Sequence, residues 1–174
     1  MLDALDGQLL GGKYRVDEFL DAGSIGHVYK VTNLGDPKGR PLVAKIQQAS
    51  RLFSKEAKHL QKVQKMNNAR AVGAEASGKT AEIIDHGHFI IVDSTQIETC
   101  EIESAQSMNK FEFTEQNSVA YSYIVMPRYG ASLEDLIEKR KSSLSAESIF
   151  SLGLQLLNIL ETIHSAGLVF NDLK

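Results

Sequence analysis

Apolar residues are distributed along the chain in two ways: short dense runs bounded by turn formers, and longer stretches spaced three and four apart. Two β-rich runs, Leu20 to Ala22 and His27 to Val31, flank the small-residue turn Gly23-Ser24-Ile25-Gly26. A third run, Pro41 to Ile46, carries a single charge, Lys45. From Leu52 to Met66 the spacing becomes helical, with Leu52, Glu56, Leu60 and Val63 on one stripe. A strand is expected within Ala81 to Val92, with a turn at Gly87, and a second from Tyr121 to the Pro127 break. After a turn at Gly130, Ser132 with Asp135 three residues on fits the box that opens a helix. The last helix is expected from about Ala146 to Ser165, with Ser145 as N-cap and Gly167 as its stop. Leucine and isoleucine cover nearly all sides of it, which predicts a buried central helix; its polar ends and interruptions make it unfit to span a bilayer. Between these elements, Asp93 to Asn117 reads as a polar insert, part of a longer stretch from about Asn67, in which Lys110 to Phe113 has strand character.

Two residues break the pattern. Lys45 lies in an otherwise apolar strand, where an ammonium needs an opposite charge to offset its lost hydration. Glu56 lies within an apolar helical stripe, either solvated at its edge or meeting a cation. Each anomaly explains the other if the two pair.

In this order the segments resemble landmarks of the protein kinase superfamily. Leu20 to Val31 resembles the glycine-rich loop, whose backbone N–H groups approach phosphate oxygens, with Gly23 and Gly26 at the second and third glycine positions and Asp21 at the first. Lys45 and Glu56 resemble the lysine of the third small-lobe strand and the glutamate of the following helix, a pair that holds the α- and β-phosphates of ATP. Tyr121 to Leu136 is similar to the fifth strand, hinge and next helix, and Gly130-Ala131-Ser132-Leu133-Glu134-Asp135-Leu136 is similar to the casein kinase I group, to which the vaccinia-related kinases are related. Val169 to Lys174 resembles the start of the catalytic loop.

The resemblance implies an α+β fold: a small lobe with a twisted antiparallel five-stranded sheet and one helix over residues 1–126, then the hinge and first large-lobe helices over 127–174. It implies nucleotide contacts at Leu20, Gly23, Ser24, Gly26, Val28, Val43, Lys45 and Glu56. Met126 would stand behind the adenine, with backbone groups of Pro127 and Arg128 along its edge. It also implies catalytic roles for Asp172, receiving the substrate hydroxyl proton, and Lys174, neutralising the γ-phosphate. ATP and Mg²⁺ are the implied cofactors, the metal ligands being expected after Lys174, so the chain alone is expected to be inactive and to expose its last helix. A protein substrate or protein partner is expected, and no nucleic acid or membrane. Three departures stand out. Asp21 replaces a glycine, Phe170 stands where the family has His, and Asn171 where it has Arg, which argues against activation by phosphorylation of an activation loop.

Composition changes this picture little. Of 174 residues 43% are apolar and 24% charged, with net charge -3, enough for a packed core and without the basic excess that favours nucleic acid or anionic membrane. The single Cys100 has no internal disulfide partner, and the N-terminus lacks a secretory signal, so an intracellular, cytoplasmic or cytoskeleton-associated protein is expected. His86 and His88 are expected to flank a turn rather than bind metal.

Two rivals remain. One is a non-catalytic kinase-fold interaction subunit. The other is a P-loop NTPase, because Gly73-Ala74-Glu75-Ala76-Ser77-Gly78-Lys79-Thr80 matches the phosphate-loop pattern and Phe89 to Asp93 reads as a strand ending in an acid. A true P-loop leaves a strand and opens a helix, whereas here a helical stretch precedes and a β-like stretch follows.

Overall fold

The computed structural model describes residues 5–23, 26–70, 80–92, 96–100, 118–140 and 143–171. It is an α+β chain with strands β1 (Leu9–Leu10), β2 (Tyr14–Gly23), β3 (Gly26–Asn33), β4 (Leu42–Gln48), β5 (Asp85–Val92), β6 (Gln96–Cys100) and β7 (Ser118–Pro127), and helices α1 (Arg51–Arg70), α2 (Leu133–Arg140) and α3 (Ala146–Ser165). The strands form one antiparallel sheet in the order β1-β2-β3-β4-β7-β5-β6. The five expected strands are its centre, and β1 and β6 extend it at the two ends. An expected strand at 110–113 lies outside the described residues, as do Ser24, residues 73–79, Asp93, Asp172 and Lys174.

The chain divides into two compact units, 1–58 with 83–128, and 59–82 with 129–174. In the first, strand alternation sorts side chains onto two faces. One face is a closed apolar core in which Tyr14, Val16, Ala44, Ile46, Phe89 and Val125 are fully buried, joined by Leu5 and Leu10 from the N-terminal segment. Phe89 stacks on Tyr121 with ring centroids 5.5 Å apart.

Gly87 is a correction to the sequence reading. It is not a turn: β5 runs through it without a break, pairing Gly87 with Tyr123, so His86 and His88 sit within a strand. A Cβ at Gly87 would lie 2.5 Å from the Tyr123 hydroxyl and 2.7 Å from the ring carbon bearing it, so the glycine makes room for the tyrosine. Burial, followed by the Asp85 carboxylate, pushes the Tyr123 hydroxyl up to about 12. Nearby the Tyr14 hydroxyl donates to Asp85 Oδ2 at 3.0 Å, tying β2 to β5 although β3, β4 and β7 lie between them in the sheet order.

The second unit holds α2, α3 and the C-terminal part of α1. The predicted capping box is present: the Asp135 N–H donates to Ser132 Oγ at 3.1 Å and the Ser132 N–H to Asp135 Oδ2 at 2.9 Å. The Ser132 hydroxyl, which donates to Asp135 Oδ2 at 2.7 Å, and then the Ser132 N–H hold the Asp135 carboxyl below its usual range. Helix α3 also begins as expected, with the Ser148 N–H donating to Ser145 Oγ, and ends at Gly167, whose φ of 68° suits glycine. Its leucine surface is open, as expected for this chain alone and unlike the buried central helix that its pattern by itself predicts: Thr162 is the buried residue of α3, while Phe150 is 74% and Leu154 64% exposed.

Candidate functional site

Opposite the apolar core, register partners line up in rows across the sheet, because paired residues share a face. Lys30, Val43 and Met126 form one row over β3, β4 and β7. The next row is Asp21, Val28, Lys45, Ile124 and His86, across five strands. Most of the expected strand-borne nucleotide contacts therefore share one surface: Val28 lies directly beside Lys45, and Val43 beside Met126.

The centre of this surface is an ion pair. Lys45 Nζ lies 2.7 Å from Glu56 Oε1, bringing β4 and the first turns of α1 together. The side chains remain 26% and 38% exposed, so the pair lies at an open surface and not in a dry interior. At that exposure it adds little to stability, about 0–1 kcal/mol, and its significance lies in where it fixes the ammonium. A cation held by one carboxylate oxygen on a half-open apolar surface is equipped to meet a second anion.

The hairpin above the surface closes in register, Gly23 opposite Gly26. A Cβ on Gly26 would lie 2.6 Å from the Ile46 carbonyl and 3.0 Å from Gln47 Cβ, so glycine is required there for the turn to lie against β4. Asp21 curls its carboxylate back: the Ala22 N–H donates to Asp21 Oδ1 at 2.8 Å. That bond satisfies a backbone donor which a phosphate loop would direct at its ligand. Leu20 is a half-exposed residue at a register shift in β2, between Phe19 and Asp21.

At the other end of the surface, ladder parity fixes what the strand end offers. The Ala49 N–H donates to the Ala120 carbonyl and the Arg128 N–H to the Pro41 carbonyl, each at 2.8 Å, so alternate residues of β7, Met126 included, direct their backbone groups at β4. Val125 faces the other way and accepts from the Ile84 N–H at 2.9 Å. Pro127 shares that orientation and has no N–H. Its carbonyl is an acceptor beyond the start of β5, and the Arg128 donor is already in use.

A third row was not anticipated as a group. Gln47 pairs with Ser122, and Ser122 with His88, on the same face as Lys45. Ser122 is fully buried, and its Oγ lies 2.7 Å from His88 Nδ1. Gln47 is 6% exposed, and among the described residues its Oε1 has no hydrogen-bond partner. The signal in the sequence was Ser122 itself, a hydroxyl inside the apolar run Tyr121 to Val125. Burial, and then His86, lower the pKa of His88.

The P-loop segment lies mostly outside the described residues, but its surroundings are visible. Helix α1 ends at Arg70 before it, and irregular chain leads from Thr80 to β5 after it. That is helix, segment, strand, where phosphate binding of this kind needs strand, loop, helix.

No family model matches the chain. Over 60 residues the chain is 37% identical to nucleosomal histone kinase 1 of Drosophila melanogaster, and the match covers 34% of this chain and 10% of that protein. The chain thus spans about a tenth of the length of that curated relative. The similarity is consistent with a kinase relationship, and the α+β architecture is compatible with a kinase small lobe. Among the described residues no helix is long and apolar enough to cross a membrane.

Proposed function

We propose that the chain forms the nucleotide-binding portion of an ATP-dependent serine/threonine protein kinase, similar to the casein kinase I and vaccinia-related group. The observation that carries this reading is the Lys45–Glu56 contact of 2.7 Å on a sheet face where Val28 and Ile124 flank the lysine. ATP supplies the phosphoryl group, and Lys45 neutralises charge on its α- and β-phosphates while Glu56 holds the ammonium in place. The residues fit such a ligand: an oriented cation, an apolar strip made by Val28 and Val43, and a Pro127 carbonyl able to accept from an exocyclic amine. In this reading Asp172 receives the proton of a Ser or Thr hydroxyl and Lys174 steadies the transferred phosphate. The relative's name specifies a histone of the nucleosome; for this chain we propose an intracellular protein substrate.

A non-catalytic role is the second reading, favoured by Asp21, which uses the Ala22 N–H that a phosphate would need. Titration with Mg·ATP separates the two, and both from the P-loop. Saturable binding to the wild-type chain, lost on Lys45→Met and retained on Lys79→Met, supports the kinase reading. No binding by a folded wild-type chain supports the interaction subunit, and loss on Lys79→Met alone supports the P-loop.

A further inference from the structure

We propose that Gln47, Ser122 and His88 form a proton-operated hydrogen-bond switch on the inner face of the sheet, in which proton uptake at His88 reverses the Ser122 hydroxyl and turns it to Gln47. Three observations meet here. The residues are successive register partners in one row of β4, β7 and β5. The buried Ser122 Oγ and His88 Nδ1 are 2.7 Å apart, with one hydrogen between them. Gln47 Oε1 is a buried acceptor lacking a donor among the described residues.

The chemistry of these groups allows two arrangements. With His88 neutral and its proton on Nε2, Nδ1 accepts from the Ser122 O–H, and Gln47 Oε1 is left without a donor. With His88 protonated, both ring nitrogens are donors; Nδ1–H then donates to Ser122 Oγ, and the Ser122 O–H must find another acceptor. Adjacent-strand partners have Cβ atoms about 4.5–5.5 Å apart, within reach of a reoriented glutamine side chain. Gln47 is the neighbour of Ser122 on the side away from His88, so the proton taken up at one end of the row satisfies the orphan acceptor at the other. The proton adds at a ring nitrogen, and no bond other than N–H forms.

Among the described residues the electrostatic surroundings are few. On its own strand His88 faces His86 two residues away, on β7 it faces the uncharged Ser122, and on β6 its register partner is Cys100. On β4 the nearest charge is Lys45, one row along and paired with Glu56 of α1, while Lys55 and Lys58 of that helix are exposed. Burial and the His86 charge both favour neutral His88, so the resting arrangement has Ser122 bonded to His88 and the switch responds to acidification. Since Gln47 and Lys45 share β4 and the same face, the switch lies one row from the ion pair, a position beyond anything the proposed kinase reaction requires.

The test is a pH titration of the full 174-residue chain labelled with ¹⁵N-histidine, followed by long-range ¹H–¹⁵N spectra. The switch predicts neutral His88 with its proton on Nε2 and a midpoint below about 6.5. It predicts that Gln47→Leu lowers the midpoint further, with roughly threefold or greater loss of proton affinity. In a Ser122→Ala background Gln47→Leu should have no effect, whereas Ser122→Thr, which keeps the hydroxyl, should preserve the wild-type response. A neutral His88 protonated on Nδ1, or a midpoint indifferent to Gln47→Leu in chains whose spectra remain folded, overturns the proposal.

Discussion

The sheet of the first unit and helix α3 of the second are both rich in apolar residues, yet they bury them very differently. Phe89 of β5 is fully enclosed and stacked on Tyr121, while Phe150 of α3 is 74% exposed. The sheet finds its own cover: strand twist and the segment carrying Leu5 and Leu10 close one face, leaving the other for the ion pair. Helix α3 has apolar residues on most of its circumference, and a helix pattern states which sides need burial without supplying the partner.

Substitutions sharpen that contrast in descending order. Phe89→Ala should destabilise the first unit by about 3–5 kcal/mol, whereas Phe150→Ala should change stability by less than about 0.5 kcal/mol, both read by urea denaturation. Equal effects would mean that α3 is as well packed as the sheet. Next, Gly87→Ala forces a methyl into the Tyr123 ring and should cost about 1–3 kcal/mol; Gly130→Ala, with open space around it, should be nearly neutral. Ser145→Ala removes the α3 cap and should cost about 1 kcal/mol of helix stability, measured by thermal circular dichroism.

A smaller effect belongs to pH. The pKa of His88 is lowered in the fold, so between that value and the unfolded value near 6.5 the unfolded chain binds more protons. Stability should be full above about pH 6.5 and fall as pH drops through that window, a slope that His88→Asn should flatten. Lys45→Met should also change stability little, by at most about 1 kcal/mol, because its ion pair is half open.

How much of this was legible in the sequence varied with the kind of signal. The contact between Lys45 and Glu56 followed from two residues each out of place in its own pattern, and the Ser132 and Ser145 caps from local spacing. Gly87 was misread because a glycine between polar residues looks like a turn from within the strand; its reason is Tyr123, thirty-six positions on, which no local pattern reveals. In the N-terminal segment Leu5 and Leu10 carry no periodic signal, whereas the alternation of Tyr14 and Val16 with Arg15 and Asp17 carries strand information. The row from Gln47 to His88 escaped for the same reason as Gly87: register between distant strands creates it.

The most direct measurement of the central claim is calorimetric titration of Mg·ATP into the wild-type chain and into Lys45→Met. The account predicts saturable binding that weakens at least tenfold when the ammonium is removed, with the fold intact. Equal affinity in the two proteins would contradict it, since the cation fixed by Glu56 would then have no part in holding the nucleotide.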